Sequence, residues 1–200
     1  MAELFYTVFI FFYAVILHEY AHGWMANQLG DPTAKRLGRL TFNPIKHVDP
    51  VGTVALPAML FLMKAPIMFG WAKPVPVNFL NLRHPKRDMM WVGLAGPAVN
   101  IFLAVVFSQL LTLNLSEVWY RVFESAVVMN LALAIFNLMP IPPLDGSRLL
   151  MGILPNPFAM YYARLGSYGI LVVLLLVYVG FVDKYVWPIV SFFARQLGVS

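Results

Sequence analysis

Cysteine is absent from the 200 residues, and charge is scarce: Asp, Glu, Lys and Arg make up 12% of the chain, against roughly a quarter in soluble domains. The first absence excludes disulfides, thiolate ligands and a cysteine nucleophile, so any metal must be held by His and carboxylate. The second, with 60% hydrophobic residues and a mean hydropathy of +0.75, excludes an ordinary soluble domain and points to an integral membrane protein. There is no internal repeat, low-complexity tract or long linker, so residues 1–200 are expected to form one membrane-embedded domain. The N-terminal apolar run has no basic region before it and no small-residue cleavage site after it, so it is expected to be a helix of the protein rather than a signal peptide. The net charge of +5 does not imply nucleic acid. Nine of the fourteen Lys and Arg lie between residues 35 and 87, around the hydrophobic segments, where the positive-inside rule places cytoplasmic connections.

What is present is His18-Glu19-Tyr20-Ala21-His22, at the end of an apolar run that starts at Leu4. Residues four apart share a helix face, so His18 and His22 can present ring nitrogens to one metal, with Glu19 beside them. This is the HExxH arrangement, in which two imidazoles hold zinc and the glutamate acts as general base toward water. Ionisable groups inside an apolar span are costly and face a bundle interior or a wet cavity, which argues against a purely structural role for all three.

The first helix is expected to run from about Ala2 to Leu29, closed by Gly30 and Asp31-Pro32. Trp24 marks its interfacial end, and Lys35, Arg36, Arg39 and Lys46 place that end in the cytoplasm. Residues 51–72 are apolar but interrupted by Pro57, Lys64 and Pro66, and residues 72–78 (Ala-Lys-Pro-Val-Pro-Val-Asn) suit extended backbone. Residues 89–116 and 125–144 carry no charge and read as spans, and residues 165–182 as a further one. The tail from Lys184 to Ser200 is mixed in character and suits the interface. Because residues 31–87 must begin and finish on one side, a single crossing by residues 51–69 is excluded unless residues 72–78 return; a hairpin or re-entrant element is favoured. The expected fold is an all-α polytopic membrane protein of four to six transmembrane or re-entrant segments, with a short extended or β-hairpin element between the first and third hydrophobic segments.

A hydrolytic zinc site usually has three protein ligands, so a third must be found. Glu3, Glu117, Glu124 and Asp183 fall at outer helix ends, Asp31 at the helix stop, and Asp88 at a charged helix start. Asp145 follows Pro140-Ile141-Pro142-Pro143-Leu144 at a proline-broken span end on the cytoplasmic side. Mechanics alone leave it evenly divided between a ligand and an N-cap of the helix that follows. His47, in Asn43-Pro44-Ile45-Lys46-His47-Val48-Asp49-Pro50, has open roles in orienting the site, stabilising an oxyanion or protonating a leaving amine. The favoured reading there is a surface turn at Asp49-Pro50 with a solvated histidine.

His18–His22, Gly96-Pro97-Ala98-Val99-Asn100 and Asn137-Leu138-Met139-Pro140-Ile141-Pro142-Pro143-Leu144-Asp145-Gly146, in this order, resemble the site-2 protease family of intramembrane zinc metalloproteases. The resemblance covers essentially the whole chain and is closest to compact members without a PDZ or CBS domain. It implies one zinc ion per chain on His18, His22 and Asp145, with Glu19 activating water. It also implies that Asn100 lies near the site and helps to hold substrate backbone. In other members an extended hairpin lies between the HExxH helix and the next core helix, the position that residues 72–78 occupy here. That stretch is then either a strand edge for an unwound substrate or a proline-rich turn. The implied activity is cleavage of membrane proteins, single-pass ones foremost, in or beside their transmembrane segments. The expected setting is a prokaryotic inner membrane with the active site toward the cytoplasm. The rival readings are a metal transporter or channel and an inactive relative that binds membrane proteins.

Overall fold

The structure, a computed structural model, describes residues 2–64, 70 and 72–199. Nine α-helices are found among them: α1 (Ala2–Gln28), α2 (Thr33–Arg36), α3 (Leu56–Leu62), α4 (Pro85–Leu110), α5 (Glu117–Asn137), α6 (Asp145–Ile153), α7 (Asn156–Arg164), α8 (Gly169–Tyr178) and α9 (Trp187–Gln196). Helix α4 is the centre, packed against α1, α5 and α6. Its buried side carries Gly93, Ala95, Gly96, Ala104 and Ser108, small residues that let neighbouring backbones approach in a membrane bundle. The tail is not confined to an interface: Val186, Val190, Ala194 and Val199 are buried in one cluster with Ala104, Val127 and Leu131.

Among the described residues three helical stretches are long and apolar enough to cross a membrane: Pro85–Leu110, Glu117–Asn137 and Asn156–Tyr178, the last combining α7 and α8 across a 3-10 turn. Phe5, Phe9, Phe102 and Leu171 are exposed, and within α8 only Gly169 and Val173 are buried, as suits surfaces that face lipid. The chain is a multi-pass membrane protein. Helix α5 begins eight residues before the expected start at 125, because Glu117 and Arg121 pair one turn apart at 2.6 Å and take their charges into the first turns. Of the apolar segment 51–72, residues Pro50–Ala55 form a π-type turn that leads into α3, together too short to span. Residues 65–69 and 71 of that segment lie outside the described residues.

The β-hairpin expectation is corrected. The described residues contain no strand, and residues 72–78 run without regular structure. Pro74 and Pro76 have no N–H to give to a ladder, and the stretch is held instead by partners drawn from elsewhere in the chain. Lys73 N–H donates to the His47 carbonyl (2.9 Å), Arg39 Nη2 donates to the Lys73 and Pro74 carbonyls (2.9 and 3.2 Å), and Val75 N–H donates to Glu19 Oε2 (2.7 Å).

Asp31 ties the end of α1 to the far side of this stretch. Its buried carboxylate accepts from Asn78 N–H (2.7 Å), Asn81 Nδ2 (2.9 Å) and the Thr33 N–H and hydroxyl. Burial alone would raise its pKa, but these hydrogen bonds outweigh burial and hold it below the usual carboxylate value. A depressed folded-state pKa gives stabilisation that is complete above the unfolded value near 4 and is lost as pH falls through the folded value. Asp31→Ala is expected to cost on the order of 2–3 kcal/mol, read as a lower unfolding midpoint in detergent at pH 7, with a smaller difference in strong acid.

Candidate metal centre

His18 and His22 lie one turn apart on α1, both buried, with ring centroids 4.6 Å apart and planes nearly perpendicular. Asp145 reaches them from the first turn of α6. Its Oδ2 is 3.0 Å from His18 Nε2 and 3.0 Å from His22 Nε2, and the two Nε2 atoms are themselves 3.0 Å apart. Sequence mechanics left Asp145 between cap and ligand; in the structure no side chain caps α6, and the Asp145 carboxylate is turned to the histidines. Its other oxygen accepts from Arg148 Nη1 at 2.7 Å. Gly146 allows this approach to the preceding turn, since a Cβ there would stand 2.1 Å from the Leu138 carbonyl oxygen.

Hydrogen-bond direction decides what this triangle can hold. The Val92 carbonyl can only accept, so the His22 Nδ1 that meets it at 2.6 Å carries the hydrogen. His18 Nδ1 likewise donates to Asn100 Oδ1 at 2.6 Å. In each neutral ring the hydrogen is thereby on Nδ1, and Nε2 offers a lone pair. Two nitrogen lone pairs and a carboxylate oxygen then face one another within 3.0 Å, a donor set suited to a cation. Among the described residues these three form the one group whose donor atoms are close enough together to hold a metal ion. Zinc coordinated tetrahedrally at about 2.0–2.2 Å has donors a little over 3 Å apart, so the set fits zinc with a fourth position open.

The remaining expected site residues divide. Glu19 is half-buried, with one carboxylate oxygen bound by Val75 N–H. Asn100 is buried and engaged by protein: beyond His18, its Nδ2 donates to Asn130 Oδ1 (2.9 Å) and the Ala14 carbonyl (3.3 Å). His47 is not solvated. It is fully buried and its Nε2 donates to the Thr41 carbonyl at 2.9 Å, outside the metal-binding group. The neighbouring turn is as expected, with Asp49 accepting from Val51 and Gly52 N–H. Arg148, Val75 and Asn130 were not anticipated. Only Arg148 carried a signal, standing three residues after Asp145 on the same helical face.

A multi-pass membrane bundle with a buried His-His-Asp centre defines the class structurally. The family model described as peptidase family M50 matches residues 112–178. A Bacillus subtilis protein named "Putative zinc metalloprotease YwhC" is 36% identical over 196 residues, covering 93% of this chain and 86% of that one. The Mycolicibacterium smegmatis protein named "Putative zinc metalloprotease Rip2" is 28% identical, with 94% of this chain and 72% of the relative covered. "Zinc metalloprotease MJ0392" of Methanocaldococcus jannaschii is 27% identical over 78% of this chain and 36% of its own length. No solved structure matches at a comparable level of significance. The chain belongs to peptidase family M50, the site-2 protease family of zinc metalloproteases.

Proposed function

We propose that the protein is a zinc-dependent endopeptidase that hydrolyses peptide bonds in or near transmembrane segments of other membrane proteins. The observation that carries this reading is the buried triangle of His18 Nε2, His22 Nε2 and Asp145 Oδ2, with Glu19 the residue after His18 on α1. When bound, zinc supplies Lewis acidity, acidifying water and polarising a carbonyl.

His18, His22 and Asp145 are the ligands in this reading. Val92 and Asn100 fix the rings with their Nε2 lone pairs inward, and Arg148 fixes the carboxylate. Glu19 is the general base: it takes the proton of the attacking water and delivers it to the leaving amine nitrogen. The Val75 N–H holds one Glu19 oxygen, leaving the other for that proton. Asn100 serves here as a support for His18, since its amide is already engaged by protein groups. Substrate helices hide their peptide bonds in internal hydrogen bonds, so cleavage requires local unwinding beside residues 72–78. The substrates are membrane proteins, single-pass ones foremost, and the setting is a prokaryotic cell membrane with the site toward the cytoplasmic side, where the basic connections gather.

Asp145→Ala tests the ligand set. It is expected to lower zinc content well below that of the wild type in protein purified in detergent, measured by elemental analysis. Wild-type stoichiometry and affinity in this variant would remove Asp145 from the ligands.

A further inference from the structure

We propose that Asn130 is a positioning residue of the metal centre, fixing which way round the Asn100 amide sits and thereby which nitrogen of His18 carries the hydrogen. The proposal rests on the reading of His18 as a ligand. An asparagine amide has a donor end and an acceptor end of nearly the same shape. Turned round, Asn100 would offer its NH₂ to His18 Nδ1, Nδ1 would have to accept, and the hydrogen would move to Nε2, where it blocks the lone pair a ligand needs.

Asn130 selects against that orientation. Its Oδ1 accepts from Asn100 Nδ2 at 2.9 Å, so a reversed Asn100 would set two carbonyl oxygens against each other. Asn130 is in turn oriented by the backbone: its Nδ2 donates to the Ala126 carbonyl at 2.8 Å, one turn back on α5, an acceptor that cannot reverse. The hydrogen bonds therefore run in one direction from His18 on α1, with Asn100 on α4 and Asn130 on α5 linking it to the Ala126 carbonyl. The Ala14 carbonyl also accepts from Asn100 Nδ2, but at 3.3 Å. Both asparagines are wholly buried, so bulk water is not at hand to replace a missing partner.

A residue that merely joins α5 to α4 would affect stability without altering the metal centre, and the two roles separate in one experiment. Zinc affinity is measured by chelator competition on full-length protein in detergent, for the wild type, Asn130→Leu, Asn130→Asp, Asn100→Ala and the Asn100→Ala/Asn130→Leu double variant. Asn130→Leu is expected to weaken zinc binding about 10- to 100-fold. Asn130→Asp should stay near wild type, because burial favours its neutral acid, which accepts through one oxygen and donates through the other. The double variant should bind no more weakly than Asn100→Ala alone. Wild-type affinity in Asn130→Leu, or losses that add in the double variant, would overturn the proposal; if Asn130→Leu does not fold, Asn130→Ala is scored in the same way. His18→Ala separates this from the ligand reading: wild-type affinity there would remove the metal centre itself.

Discussion

Glu19→Gln is expected to retain the zinc of the wild type and to lose about 10²- to 10⁴-fold in the rate of cleavage of a single-pass membrane protein, the range a positioned general base contributes. At 1.36 kcal/mol per tenfold, that loss is roughly 3–5 kcal/mol of the barrier. The amide keeps the shape of the side chain and an oxygen for the Val75 N–H, so the extended stretch stays anchored and only the proton acceptor is lost. This combination separates a base from a ligand: loss of a ligand would lower zinc content, whereas loss of a base lowers turnover at constant zinc. It also separates hydrolysis from metal permeation, which has no need of a base beside the site. The assay uses purified protein and substrate in liposomes, with zinc determined on the same preparation. Undiminished cleavage by Glu19→Gln would sink the mechanism.

How far the site could be read from sequence follows from how local each feature is. His18 and His22 were legible because one helical turn fixes their relation, and α1 ends at Gln28, within a residue of expectation. Asp145 lies 127 residues from His18, and its own surroundings fitted a cap as well as a ligand. The resemblance favoured the ligand, and the structure turns the carboxylate inward. The supports around the rings were not legible. Val92 acts through its backbone carbonyl, which every residue has, and Asn130 acts through contacts with Asn100 that no spacing encodes. Residues 72–78 show the opposite error. Their valines favour a strand, but Pro74 and Pro76 remove the donors, and the connection is built from side-chain and loop contacts of Arg39, Glu19 and His47. His47 was misplaced at the surface because a polar sequence around a turn does not reveal which ring is folded under it.

Gly96 was legible only as part of a motif, with a helix kink or close packing as its general meaning, and the structure makes its role specific. An added Cβ would lie 2.5 Å from His22 Nε2 and 2.6 Å from both Cε1 and Nε2 of His18, well inside van der Waals contact. A methyl there occupies the space in front of both ring nitrogens, so the rings must rotate away or α1 must move off α4. Either change breaks the convergence with Asp145. Gly96→Ala is therefore expected to weaken zinc binding by at least about 100-fold, and the overpacking to cost on the order of 1–3 kcal/mol in the metal-free protein. The sign is opposite to the usual one, because alanine in a helix ordinarily gains about 0.5–1 kcal/mol over glycine. Gly166→Ala supplies the contrast: a Cβ there has nothing within 4 Å, and that variant should keep wild-type zinc binding and stability. Chelator competition and thermal unfolding of the metal-free proteins read both effects. Wild-type zinc affinity in Gly96→Ala would mean that the imidazoles do not pack against α4 as they do here.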